Sequence, residues 1–177
     1  GVAGYLALDT SQSIAHSRVL ARNFYGALAV YDQPSSGNMG PVRVLRHGVI
    51  EHGEQFLSPE YEGHPTTYYA RQSGIGRSIQ ALMTQGAINV GVIGLGAGTL
   101  ATYARANDRY SFYEINPEVV TIAQSEFTFQ RHCAAPSGII PGDARLSLES
   151  ESSRQFDVLA VDAFSGDAIP CTFGKSA

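Results

Sequence analysis

The residues best suited to chemistry in this chain sit at the ends of short apolar runs. Gly94-Leu95-Gly96-Ala97-Gly98 follows the run Ile88–Ile93 and opens onto Thr99–Ala106. Glycines between a strand and a helix let the backbone bend sharply and approach a ligand closely; the alternative at Gly94, Gly96 and Gly98 is a tight turn that binds nothing. Glu114 ends the next run, about 20 residues on, where an acidic side chain accepts the two hydroxyls of a ribose; otherwise it is a surface carboxylate. The pattern lacks the usual third glycine of the dinucleotide motif and has Thr99 after Gly98, which favours an adenosyl ligand over NAD. In Gly142-Asp143-Ala144, Asp143 either accepts an adenine amino group while the backbone N–H beside it, at Ala144, reaches a ring nitrogen, or caps the helix that begins at Ala144; the two roles are compatible. Asp162 closes the apolar run Val158–Val161. With Asp167 it can hold an ammonium group and accept its proton, or it is a capping carboxylate in the following turn. Tyr68-Tyr69, with Glu60 and Glu62, either line a pocket or pack between the two parts of the chain.

These residues need an alternating α/β scaffold. Ile88–Ile93, Arg109–Ile115, Gly138–Ile140 and Phe156–Val161 read as strands. Thr99–Ala106, Pro117–Glu126 and Arg145–Glu151 read as helices, the second with Asn116 as cap and Pro117 at the first helical position. Strands alternating with helices imply a parallel sheet with right-handed crossovers, and ligands bind such sheets at the carboxyl ends of the strands. Residues 1–78 read differently. Arg18–Tyr31 alternates and is rich in β-formers, residues 32–41 have loop composition, and Val42–Arg46 and Val49–Glu51 flank a His47-Gly48 turn. Pro59–Gly76 reads as irregular, a helix begins near Ser78, and Gly1–Leu8 suits a short strand. The expectation is a small antiparallel β domain over 1–78 and a nucleoside-binding Rossmann-like domain over 79–177.

The chain of 177 residues has 44% hydrophobic and 16% charged residues and a formal net charge of −4. That is globular composition without the basic stripe of a nucleic-acid binder, so no nucleic-acid partner is expected. Cys133 and Cys171 make neither a disulfide framework nor a metal motif, and reduced thiols are expected. His47, His52 and His64 have no metal-ligand spacing, so no metal is expected. No Gly-x-Ser-x-Gly motif occurs. No apolar run reaches the roughly 18 residues of a membrane helix.

The order Gly94–Gly98, Tyr113-Glu114-Ile115-Asn116, Gly142-Asp143-Ala144 and Phe156–Asp162 resembles the spermidine synthase family, and most nearly its spermidine-synthase-like domains fused to membrane segments. The strands around Arg46–Glu51 and the stretch Pro65–Tyr69 resemble the small β domain that precedes the catalytic domain there. The resemblance implies a class I methyltransferase fold and aminopropyl transfer from decarboxylated S-adenosylmethionine to a polyamine or related amine. It implies that Glu114 binds ribose, that Asp143 binds adenine, and that Asp162 orients and deprotonates the attacking amine. The sequence departs from the family at Ala97, where an aspartate is usual, and at His47-Gly48 in place of Asp-Gly. It departs again near Glu51 in place of a glutamine, and at Tyr68-Tyr69 near the family's Tyr-His-Glu. The compact Asp-Ser-Ser-Asp-Pro is stretched to Asp162–Pro170. Because several of these positions help hold the polyamine, the amine stays unspecified. Alternatives are a methyltransferase using S-adenosylmethionine and a non-catalytic nucleoside-binding or regulatory domain.

Four strands are fewer than the seven of that fold, so the sequence reads as a C-terminally truncated piece of a longer protein. The expectation is a cytoplasmic chain, or the cytoplasmic domain of a membrane protein, that self-associates through its exposed sheet edge.

Overall fold

The computed structural model describes residues 17–34 and 37–162. The sequence candidates Asp167 and Cys171 and the Gly1–Leu8 stretch lie outside the described residues. Two four-stranded sheets form the scaffold. The first is an antiparallel meander of β1 (Val19–Asn23), β2 (Gly26–Gln33), β3 (Val42–His47) and β4 (Ile50–Phe56). Arg18–Tyr31, read as one alternating stretch, is a hairpin: Phe24-Tyr25 form a two-residue connection and Gly26 takes the positive φ of +126° that the turn requires. Gly48 does the same for the Gly48-Val49 turn at φ +58°, in keeping with primed two-residue hairpin turns. β4 runs five residues beyond the expected Glu51, to Phe56, through a bulge opposite Leu45/Arg46. Short-range alternation did not show this because Glu51-His52-Gly53-Glu54-Gln55 is polar, yet Gln55 is buried.

The second sheet is parallel, with β5 (Asn89–Ile93), β6 (Arg109–Glu114), β7 (Ser137–Pro141) and β8 (Val158–Val161) in the order β7-β6-β5-β8. This is the expected Rossmann-like α/β unit. β5 and β6 are its inner strands; in β5, Val90 and Val92 are buried on one face and Gly91 on the other, which is why the sequence over 90–93 lacks polar side chains. The helices are α1 (Gly74–Met83), α2 (Pro117–Glu126) and α3 (Ala144–Ser150). α1 starts four residues before the expected Ser78, because Ser73 caps it by accepting from the Gly76 N–H. Gly76 lies so close to the Ala70 carbonyl that a side chain would not fit. Asn116 caps α2 through the Glu118 N–H, with Pro117 at its start.

One expected helix is different in kind. Thr99–Ala106 is a 3₁₀ segment over Thr99–Tyr103. It stops because Asp108 accepts from the Arg105 N–H, closing a tight turn just after Ala104. Thr99, Leu100, Ala101 and Tyr103 are buried and only Thr102 is partly exposed, so the segment is packed into the core on most of its surface.

The two sheets are docked. Gln55 on β4 donates to Thr128 Oγ1 (2.6 Å) and accepts from the Thr128 N–H (3.0 Å). Arg43 pairs with Asp32 and donates to the Glu126 carbonyl at the end of α2. A Cβ on Gly53 would lie 2.9 Å from the Ala97 Cβ, so β4 touches the glycine loop directly. Residues of both sheets, such as Leu28, Val30 and Leu45 with Val90, Val92 and Phe112, share one core.

Candidate functional site

The strand order reverses between β5 and β8: β6 and β7 extend the sheet on one side of β5, and β8 lies on the other. In open α/β sheets this switch point makes a crevice at the carboxyl ends of the strands. The glycine loop leaves β5 there, and Asp162 follows β8 there, its N–H donating to the Ile93 carbonyl at 2.8 Å.

The loop has the conformation its glycines permit. Gly94, Gly96 and Gly98 have φ of +93°, +53° and +87°. At Gly96 the reason is also space: a Cβ would come within 2.8 Å of the His52 carbonyl oxygen and 4.0 Å of Asp162 Oδ2. The loop is therefore pressed between β4 and Asp162.

Glu114 is buried, and both its oxygens are engaged. Oε2 accepts from the Leu95 N–H and Oε1 from the Asn116 N–H, each at 2.8 Å. One carboxylate thus ties the loop after β5 to the loop after β6. Each oxygen accepts about two hydrogen bonds, so one position on each is left for a hydroxyl. Glu114 first organises the loop, and any ribose contact comes in addition. Ile115, next in sequence, is 45% exposed and supplies apolar surface beside the carboxylate. The sequence reading missed it because a lone exposed isoleucine at a strand end carries no pattern.

Asp162 is surrounded by tyrosines. Tyr69 Oη donates a short hydrogen bond to Asp162 Oδ2, and Tyr68 Oη lies 3.3 Å from the same oxygen. Two consecutive residues reach one carboxylate because Thr67 turns the chain at φ +52°, an uncommon conformation outside glycine. Such strain is found where surrounding structure holds a functional geometry in place. Here the hold comes from Thr66 Oγ1 donating to the Glu54 carbonyl and Tyr103 Oη donating to the Tyr69 carbonyl at 2.6 Å. Burial pushes the Asp162 carboxyl up to about 6; the Tyr69 and Tyr68 hydroxyls act against this and the Glu114 charge adds to it. Burial, followed by the charge of Asp162, raises both tyrosines, so they stay protonated donors. His52 is pushed down by burial and by His47, which keeps its ring neutral beside the site. Glu54 is pushed up by burial and by Glu51.

The structure brings Gly94, Gly96, Gly98, Glu114, Asp162, Tyr68 and Tyr69 to one crevice. Asp143 and Ala144 begin α3 one strand further out; the Gly142 N–H donates to the Glu114 carbonyl at 2.9 Å. The Asp143 carboxylate caps α3 by accepting from the Arg145 and Leu146 N–H groups, so the capping role is observed. Gly53 is a residue the sequence reading passed over. A glycine inside a strand signals close approach of another backbone, and here that backbone is the glycine loop. An apolar hollow of about 370 Å³ on the N-terminal sheet is lined by Leu20, Ala27 and Tyr31 among others, and no glycine-loop residue lines it. Among the described residues no group of three or more His, Cys, Asp or Glu is placed to hold a metal ion, and no helix is long and apolar enough to cross a membrane.

No protein-family model matches the sequence, and no curated protein matches it. Among solved structures, the chain is similar to a probable spermidine synthase from Corynebacterium glutamicum ATCC 13032. The TM-score is 0.62 at 19% identity, over 86% of this chain and 54% of that one. The chain spans about half the length of that structure. At this identity the likeness is one of fold: the chain has a spermidine-synthase-like, Rossmann-like fold.

Proposed function

We propose that the crevice binds an adenosyl sulfonium co-substrate and transfers an aminopropyl group from decarboxylated S-adenosylmethionine to a small amine, a polyamine or a related molecule. The observation that carries this reading is the half-buried Asp162 carboxylate, held by two tyrosine hydroxyls beside a glycine loop that Glu114 anchors. The glycine loop supplies close backbone approach, Glu114 has acceptor capacity left for ribose hydroxyls, and the Ile115 side chain offers an apolar wall for a base. Asp143 would reach the adenine with acceptor capacity beyond that used in capping, beside the Ala144 N–H.

The chemistry asks little of the protein. An amine is protonated at neutral pH and must lose a proton before its lone pair can attack. Asp162, with its carboxyl near 6, is poised to take that proton. The nitrogen then bonds to the carbon next to sulfur, the carbon–sulfur bond breaks towards sulfur, and neutral methylthioadenosine leaves. No acid is needed because the leaving group departs without charge. What remains is positioning, the role we assign to the tyrosines and the glycine loop.

Calorimetric titration with S-adenosylmethionine, its decarboxylated form, methylthioadenosine and NAD tests the binding side. Preference for NAD would overturn the adenosyl reading. Glu114→Ala is expected to weaken adenosyl binding by about 1–3 kcal/mol, the cost of hydroxyls left unpaired. Incubation with an amine and each donor tests the reaction. Methylthioadenosine as product supports aminopropyl transfer, whereas S-adenosylhomocysteine would identify a methyltransferase.

A further inference from the structure

The β1–β2 hairpin tip is built more rigidly than a surface turn needs. The Asn23 side-chain oxygen accepts from the Tyr25 N–H at 2.9 Å, closing the turn on itself. His47 Nε2 lies 2.7 Å from the Tyr25 carbonyl oxygen and buttresses the tip from β3. A Cβ on Gly26 would collide with that imidazole, so the position is reserved for glycine. This scaffolding holds the Phe24 ring 96% exposed, edge-on to Tyr25 with centroids 5.4 Å apart. Apart from this edge contact, a ring 96% exposed buries almost no area in the fold.

The tip is also joined to the nucleoside crevice. Asn23 Nδ2 donates to Asn116 Oδ1 at 2.7 Å. Asn116 is the residue whose N–H is held by Glu114 and whose side chain caps α2. It is 3% exposed, and its Nδ2 has no hydrogen-bond partner among the described residues. A buried donor without a partner is rare in a folded protein. This one lies closed from solvent at the joint between the tip and the loop after β6. The polar chain Asn23–Asn116–Glu114 therefore places the hairpin tip at the rim of the crevice, on the side of Ile115.

We infer that the Asn23–Tyr25 tip is the outer wall of the nucleoside site and that Phe24 packs on the exposed face of the bound purine base. This rests on the nucleoside reading above and adds a recognition element from the N-terminal sheet. A flat aromatic ligand explains an exposed ring on a fixed turn, and the hydrogen-bond chain to the ribose carboxylate says which aromatic ligand it meets.

The chain has no tryptophan, so Phe24→Trp in the full chain introduces a single tryptophan that can be excited apart from the tyrosines. Titration with methylthioadenosine is expected to change its emission saturably. Phe24→Ala is expected to weaken methylthioadenosine roughly tenfold, in the range of one base–aromatic stack, with no change in thermal midpoint without ligand. Methylthioribose, which lacks the base, should bind Phe24→Ala and the parent equally. Asn23→Ala should also weaken methylthioadenosine by freeing the tip. If the parent binds methylthioadenosine and Phe24→Ala binds it as well, this inference alone is overturned. The same holds if sedimentation shows that Phe24→Ala only dissociates a pair of chains while its nucleoside affinity is unchanged. A parent chain that binds no nucleoside overturns this inference together with the reading it rests on.

Discussion

Asp162 combines two opposed demands. As an acceptor of an amine proton it should be ionised, yet burial favours its neutral form. With the carboxyl near 6, turnover limited by proton removal is expected to rise through about pH 6 and level off above it. A flat profile between pH 5 and 7 would remove the base role. Tyr69→Phe removes a donor to the charged form, so the rising limb should move to higher pH; an unmoved limb would mean that Tyr69 only fills space. Stability follows the same group with its own sign. Its folded value lies above its unfolded value near 3.8, so between about pH 4 and 6 the folded state holds more protons than the unfolded one. Asp162 thus supports the fold at low pH, and that support is lost as pH rises through about 6. Asp162→Asn should therefore abolish transfer while raising stability at pH 7.5. The gain is roughly 1–2 kcal/mol, after discounting for the solvent that still reaches the carboxylate. Equal denaturation midpoints for the two proteins at pH 7.5 would contradict this.

At the scale of elements, the glycine loop and β4 form one contact. A side chain on Gly96 must displace the His52 backbone and also adopt a left-handed conformation. Gly96→Ala should therefore lose at least about 1–2 kcal/mol of stability from conformation alone and should lose nucleoside binding. Gly53→Ala meets Ala97 from the opposite side and should weaken binding without touching any residue on the ligand face of the crevice. Chemical denaturation and calorimetry on the two variants would test this pair of effects. The start of β5 depends on a different device. The fully buried Asp108 carboxylate accepts from the N–H groups of Ile88 and Arg105 and from the Arg105 guanidinium, which also reaches the Met83 and Gly86 carbonyls. Asp108→Ala leaves the buried Ile88 N–H unpaired and is expected to cost about 2–3 kcal/mol, measurable by urea denaturation.

For the whole molecule, the sheet presents an edge. Among the described residues β8 pairs only with β5, and Leu159 and Val161 are 46% and 62% exposed. Unpaired strand groups beside exposed apolar side chains form a template for association. The chain is expected to self-associate at high concentration, and Leu159→Lys with Val161→Lys should suppress it. A monodisperse monomer in light scattering would count against this. The docking of the two sheets through Gln55–Thr128 and Arg43–Glu126 has a further consequence. The crevice is walled on one side by the N-terminal sheet, so changes in that sheet should register in ligand affinity.

Local sequence was enough for several features of the protein. The apolar run at 90–93 and the aromatic-rich stretch at 110–113 specified buried parallel strands, Asn116-Pro117 specified the start of α2, and the Gly-x-Gly-x-Gly spacing specified a bend that only glycine tolerates. These are properties of a few neighbouring residues, set by backbone sterics, capping and hydrophobic burial. Tertiary structure decided the rest. The approach of β4 to the glycine loop, the convergence of Tyr68 and Tyr69 on a carboxylate more than 90 residues away, and the tie from Asn23 to Asn116 all depend on how the two sheets dock. The early end of the Thr99–Tyr103 segment depends on the Asp108 carboxylate, which is held in turn by the Ile88 N–H. No local pattern encodes such contacts, because their partners are distant in sequence and their energies arise only when a shared core has brought them together.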